Sequence, residues 1–390
     1  MPVLLRQEEF LRRGFSRRQL GKIAGLITAG AALPFYNEFA MAQEAERRTF
    51  AGRGGRGGTA DPNAVRLTSN ENPLGPCPEA IEAMQKVLPF GWRYSPFGEQ
   101  AAFIQAVSEV AGVKPDYVSA FAGTSEPLHR VTCAFTSPTR SWVMADPGYG
   151  GGAPAYIGSK TIKVPLRADL SHDVQAMIKA DPDAGAYFVC NPNNPSGTIT
   201  QRKDIEYLLA NKRKDAVVLV DEAYIEFTEG VPSSAELVAA DKDIIVLRTF
   251  SKIYGMAGLR AGYALGRPDL LEKLRPLGDS KLPVTGLAGA TASLKVSAKL
   301  VPERRAINAR IRENTFNYLE KRKIPYIPTV TNYFVMEVHR PGAEFAKAMA
   351  EQKVVIGRVW PAWPTKVRVT VGTQEEMDRF AAACDKVYGA

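Results

Sequence analysis

The chain has 390 residues, of which 45% are apolar, 9% aromatic and 23% charged. That composition suits a globular protein with one large core and an appended domain, and it excludes intrinsic disorder, collagen-like structure and a small disulfide scaffold. The formal charge of +9 raises the question of a nucleic-acid or membrane-surface partner, while no uninterrupted run of about 18 apolar residues marks a membrane span.

Arg12, Arg13, Arg17 and Arg18 precede a weakly apolar stretch, Ile23 to Leu33, and Ala40-Met41-Ala42 supplies small residues at a cleavage-site spacing. These parts predict a secretory signal over residues 1–42, and Ser16-Arg17-Arg18-Gln19-Leu20-Gly21-Lys22 resembles a twin-arginine signal, the kind that exports folded proteins. The expectation is an exported, periplasmic protein that engages the twin-arginine machinery and whose mature chain starts near Gln43. The signal contains six basic and three acidic residues, so the rest of the chain carries +6. Residues 43–64 include Gly52-Arg53-Gly54-Gly55-Arg56-Gly57-Gly58 and read as a flexible tether rather than a nucleic-acid element.

From Val65 the pattern alternates. Short apolar runs predict buried strands at Tyr117–Phe121, Ser141–Ala145, Thr161–Pro165, Ala186–Cys190, Ala216–Val220 and Ile244–Arg248. Stretches of helical length, Asp173–Ala180 and Lys203–Lys212 among them, lie between. Such alternation predicts an α/β protein with a mostly parallel central sheet and helices on both faces. After Pro283 long helices (Pro302 to Lys321, Gln374 to Tyr388) flank short strands at Asn332–Val338 and Lys366–Val371, which predicts a smaller α+β domain.

Several chemistries drop out. Cys77, Cys133, Cys190 and Cys384 are scattered without a C-x-x-C pair, and His129, His172 and His339 show no i, i+4 pairing, so no metal site is expected. No G-x-S-x-G motif announces a serine triad. Gly148-Tyr149-Gly150-Gly151-Gly152-Ala153 fits G-x-G-x-x-A after a strand, but Pro154 interrupts the helix that a dinucleotide site needs there.

The residues suited to chemistry sit in four segments, each after a predicted strand, where open α/β sheets bind ligands. Gly123-Thr124-Ser125-Glu126 is a small-residue turn leading into a helix, whose free N–H groups suit an anion. Asn191-Pro192-Asn193-Asn194-Pro195-Ser196-Gly197-Thr198 is a stiff turn that fixes side-chain amides. Val220-Asp221-Glu222-Ala223-Tyr224 delivers an acid and a phenol to a strand tip, and Thr249-Phe250-Ser251-Lys252 is followed eight residues after the lysine by Arg260. Taken together, a lysine amine, an acid to face the ring nitrogen and phosphate donors are what pyridoxal phosphate requires.

In this order the segments resemble the fold type I aminotransferase family, most closely the histidinol-phosphate aminotransferase branch. Asn70-Glu71-Asn72-Pro73-Leu74-Gly75-Pro76, Asp221 to Phe227, Arg248 to Arg260 and Val367 to Thr373 also carry the likeness. It implies pyridoxal 5'-phosphate as cofactor and a division into residues 65–90 (amino-terminal part of the small domain), 91–285 (large cofactor domain) and 286–390 (carboxyl-terminal small domain). It implies that Lys252 is the Schiff-base lysine, Asp221 the partner of the ring nitrogen, Asn194 and Tyr224 donors to the ring oxygen, and Tyr149 the stacking aromatic. Gly123, Thr124, Ser125, Thr249, Ser251 and Arg260 resemble the phosphate cradle, Arg368 and Arg358 the substrate-anion arginines, and Asn72 a further substrate contact. Tyr94 resembles a tyrosine that reaches the partner subunit's phosphate, which implies a homodimer with shared sites.

Two stretches depart from the branch. The family's Y-P-D-P reads Tyr94-Ser95-Pro96-Phe97, and its P-T-Y-x-x-Y loop reads Pro147-Gly148-Tyr149-Gly150-Gly151-Gly152, which removes an aromatic and reshapes the expected substrate pocket. The expected activity is ping-pong transfer of an amino group between an amino acid or related amine and a 2-oxo acid. A decarboxylase of the threonine-phosphate type, an oxidase or a lyase on the same scaffold is the alternative. A cofactor-binding gene regulator is set aside, because the segment before Val65 is too short and Gly-rich for a winged-helix reader.

Overall fold

The computed structural model describes residues 63–150, 153–278 and 281–388. The predicted signal (1–42), and residues 43–62 of the predicted tether, lie outside the described residues.

Twelve described strands form three sheets. In chain order they are β1 (Val65–Leu67), β2 (Val118–Phe121), β3 (Trp142–Asp146), β4 (Thr161–Pro165), β5 (Ala186–Cys190) and β6 (Val217–Asp221). The rest are β7 (Ile244–Thr249), β8 (Gly262–Gly266), β9 (Tyr326–Ile327), β10 (Tyr333–Glu337), β11 (Val354–Ile356) and β12 (Lys366–Thr370). The main sheet has seven strands in the order β2-β8-β7-β6-β5-β3-β4. Every residue of β5 and β6 is buried; because successive side chains point to opposite faces, both faces of the sheet are covered there. That is why these strands read as unbroken apolar runs.

Within this sheet, the strand absent from the sequence expectation is β8. It pairs antiparallel with both β2 and β7, so two reversals restore β2 to the direction of β3 to β7. The carboxyl ends of β2, β3, β5, β6 and β7 therefore open on one edge of the sheet.

The main core spans this sheet and takes in Leu287, Ala290 and Leu294 of the helix Val284–Lys295, which packs on the helices Pro78–Val87 and Glu99–Ala111. A second core joins Val65 and Leu67 to Phe334, Val367, Phe380 and the long helix Ser297–Lys321. Here β10 and β12 pair antiparallel while β1 runs parallel to β11, tying the start of the described chain to its last quarter. A capping box closes the helix Gln374–Val387, with Thr373 and Glu376 each accepting from the other's backbone N–H. Among the described residues no helix is long and apolar enough to cross a membrane, no His/Cys/Asp/Glu group suits a metal, and the four cysteines form no disulfide.

Candidate active site

The strand tips set the site. After β2 the chain turns through Gly123, at φ 89°, into the helix Ser125–Phe135. Thr124 is the N-cap but makes no side-chain cap bond, and the buried Ser125 Oγ has no hydrogen-bond partner. The first-turn N–H groups of a helix also lack internal partners. Opposite stands Arg260, itself in the left-handed region at φ 52°. Its Nη1 donates to Ser251 Oγ at 3.3 Å and to Ala257 O at 2.8 Å, and its Nη2 donates to Ala122 O at 3.2 Å. Thr249 Oγ1 donates to Ser251 Oγ at 2.9 Å, completing a cluster of hydroxyls and one cation. A Cβ on Gly123 would overlap the Arg260 guanidinium. Glycine there is what lets the backbone and the cation share this space.

Asp221 ends β6, buried, and its Oδ1 accepts from Ala223 N at 3.1 Å. It sits beside Cys190 in the β5–β6 register. Burial, then the Asp221 charge, push the Cys190 thiol well above its ordinary pKa. Lys252 follows β7, half-buried, with Nζ donating to Ser69 O at 2.9 Å and lying 5.7 Å from the centre of the Tyr224 ring. Tyr224 Oη accepts from Asn70 Nδ2 at 2.9 Å, and its ring meets Tyr333 edge-on at 4.9 Å. Burial raises its phenol pKa well above the usual range.

Arg368 enters from β12, 6% exposed. Its Nη1 donates to Asn194 Oδ1 at 2.9 Å and its Nη2 to Thr68 O at 2.6 Å, while its Nε is buried without a partner. The guanidinium lies 5.6 Å from the Tyr333 ring and 5.5 Å from the Trp360 ring, and burial lowers its pKa. Arg358 shares the same indole, 5.2 Å from the Trp360 ring. Trp360 Nε1 donates to Gly148 O at 3.1 Å, holding the loop that carries the half-buried Tyr149.

Two residues read from the sequence stand apart. Asn72 spends its amide on the backbone, donating to Ile253 O at 2.9 Å and accepting from Leu74 N at 3.1 Å. Tyr94 is 80% exposed, with Lys281 over its ring, and makes no hydrogen bond to this group. Conversely, Asn70, Tyr333 and Trp360 belong to the site without a sequence signal of their own. Asn70 opens the Asn70–Pro76 segment, and its φ of 53° suits the residue type that best tolerates it. Trp360 carries no sequence periodicity that would have marked it.

The donor set fits a phosphorylated pyridine ring. An unpartnered Ser125 hydroxyl, a cradle that a Cβ would fill and a guanidinium suit the phosphate. The buried acid, the amine and the phenol lie at the neighbouring strand tips. Fold and site together define a pyridoxal-phosphate enzyme of the aminotransferase type. The family model "Aminotransferase class I and II" matches residues 62–383, and the chain belongs to that family, whose cofactor is pyridoxal phosphate. The chain is 32% identical to the histidinol-phosphate aminotransferase of Moorella thermoacetica over 83% of this chain and 86% of that protein. It is 34% identical to histidinol-phosphate aminotransferase 2 of Pseudomonas aeruginosa over 84% of this chain and 90% of that protein. A crystal structure of a candidate histidinol-phosphate aminotransferase from Erwinia carotovora atroseptica superposes with a TM-score of 0.79 at 29% identity, covering 85% of this chain and 98% of its own. The enzyme from Sinorhizobium meliloti, solved in complex with pyridoxal-5'-phosphate, shares the fold at 23% identity, with a TM-score of 0.73 and coverage of 84% and 91%. The protein is thus an aminotransferase similar to the histidinol-phosphate enzymes.

Proposed function

We propose that this enzyme moves an amino group between an amino acid or related amine and a 2-oxo acid in two half-reactions, the first product leaving before the second substrate enters. The observation that carries the reading is Arg368: a buried guanidinium with no carboxylate partner among the described residues, joined through the Tyr333 and Tyr224 rings to Lys252. A buried cation without a counter-charge is costly unless an anion meets it, and its planar fork suits a carboxylate or phosphate. Arg358 adds a second positive charge on the same indole.

Pyridoxal phosphate supplies an aldehyde for amine capture and a ring that stabilises negative charge next to the captured nitrogen. Asp221 holds a proton at the ring nitrogen. Asn194 accepts from Arg368 through its Oδ1, which leaves Nδ2 as the group that would donate to the ring oxygen together with Tyr224 Oη. Thr124, Ser125, Thr249, Ser251 and Arg260 bind the phosphate, with Gly123 clearing the space. Tyr149 would cover the ring face, and Lys252 Nζ would take the proton from the amine-bearing carbon and deliver it to the other carbon bonded to the same nitrogen, the 1,3-shift that moves the amino group. Tyr94 serves the partner subunit of a homodimer.

The signal over residues 1–42 sends the folded, cofactor-loaded enzyme to the periplasm by the twin-arginine route. The test is a substrate panel on the loaded enzyme, with histidinol phosphate, the substrate named for the relatives, among the amines. Formation of an amino acid from the 2-oxo acid, with parallel double-reciprocal lines, is the expected result. Release of carbon dioxide or peroxide without amino-acid product would instead assign a decarboxylase or an oxidase.

A further inference from the structure

We propose that a second small-molecule site lies behind the Asn70–Gly75 segment and takes a small carboxylate that also carries a hydrogen-bond donor. A cavity of about 490 Å³ opens there between this segment, the helix Ser297–Lys321 and the residues after β12, a size ordinary for a small-molecule site. Of the residues assigned to the cofactor and substrate, only Asn72 lines it.

Its wall is cationic. Arg304 is buried, its Nη1 donating to Ile253 O at 2.9 Å and its Nη2 to Gly75 O at 2.7 Å, and no carboxylate lies within ion-pair reach of it among the described residues. Exposed Arg310 is likewise without an ion pair among the described residues, and no Asp or Glu lines the cavity. An anion would balance a charge that backbone carbonyls alone now hold.

The wall also holds one unpaired acceptor. Asn332 is buried, and its Nδ2 donates to Asn70 O at 3.0 Å and Glu71 O at 3.2 Å. Those two carbonyls fix which end of the amide is oxygen, and Oδ1 is left buried without a partner. A hydroxyl or N–H on the bound anion would satisfy it. Any occupant is tied to the chemistry, since Asn332 braces the Asn70 that holds Tyr224, and Arg304 braces Ile253 beside Lys252.

The test is calorimetric titration of the full-length, cofactor-loaded protein with malate, which has a hydroxyl, and succinate, which lacks one. Arg368→Ala removes the substrate-anion arginine, so one malate per chain should still bind. Adding Arg310→Gln should weaken that binding about fivefold, the modest effect of losing one exposed charged contact. Succinate should bind several-fold more weakly than malate. Arg310→Gln alone, at a side chain with no partner to lose, gives the same comparison in the wild-type background. No saturable malate binding to the Arg368→Ala protein, or equal affinity with and without Arg310, would overturn the proposal.

Discussion

Gly123 sits at φ 89°, and the guanidinium of Arg260 fills the space that any side chain there would need. Gly123→Ala therefore both strains the backbone and displaces the cation that Ser251 and Ala257 hold in place. A displaced cation loses a charge-assisted hydrogen bond to the phosphate, about 1.5–3 kcal/mol, so the cofactor dissociation constant should rise roughly 10- to 150-fold. Equilibrium dialysis reads that directly, and unchanged retention would remove Arg260 from the cradle. The lysine makes the complementary case. Lys252→Ala should cost at least about 10³-fold in turnover, in the range that removal of a positioned proton carrier costs, together with the visible absorption of the lysine-linked cofactor. Because Lys252 is only half-buried, the melting temperature of the cofactor-free protein should hardly move. Substantial residual turnover would assign the proton transfer to another group.

Among the elements, β5, β6 and β7 are legible as apolar runs followed at once by Asn191, Asp221 and Thr249, because a strand buried on both faces has no polar alternation to hide it. The short strand β8, Gly262–Gly266, did not: glycine at each end and five residues between motifs leave little periodicity, and strand direction is not written in composition. The three-residue strands β1 and β11 were equally silent, since each is defined by a partner remote in sequence. The same divide runs through the site. Asp221, Lys252 and Arg260 are residue types that chemistry needs at strand tips, whereas Asn70 and Trp360 matter only through contacts that folding creates.

Just beyond β6, Glu222 and Glu226 both reach Arg248 of β7, at 3.0 and 3.4 Å. Glu222 is also held by Ser233 Oγ and Ser234 N. For Glu226 burial outweighs Arg248 and the hydrogen bond from its own backbone N–H, lifting its pKa from 4.5 to about 7, with Glu222 adding to the rise and Arg305 opposing it. A carboxyl whose folded pKa is raised costs stability as pH climbs from the unfolded value toward the folded one. Glu226→Gln should therefore stabilise the protein at pH 8 by about 1–3 kcal/mol, with the gain shrinking to nothing near pH 4. Thermal melts of both proteins across that range test it, and a pH-independent difference would put the effect down to packing.

At the scale of the whole molecule, the segment before the helix Glu99–Ala111 is unusually apolar for a surface. Leu88, Trp92, Tyr94 and Phe97 are 64%, 73%, 80% and 63% exposed, and Phe90 and Phe97 stack edge-to-face at 4.8 Å in the same stretch. Exposed apolar side chains of this kind suit an interface, and in the homodimer proposed above, pairing this segment with its own copy would place each Tyr94 near the neighbouring subunit. The double variant Trp92→Asp, Phe97→Asp should sediment as a monomer and lose most turnover. Mixing gives the sharper test. In a heterodimer of Tyr94→Phe and Lys252→Ala chains, the lysine-deficient subunit still lends an intact Tyr94 to the site whose lysine is intact. Random reassortment of equal amounts then completes about a quarter of all sites, and activity should recover to that extent over either variant alone. A Tyr94 that served its own chain would leave every site defective, and mixing would restore nothing.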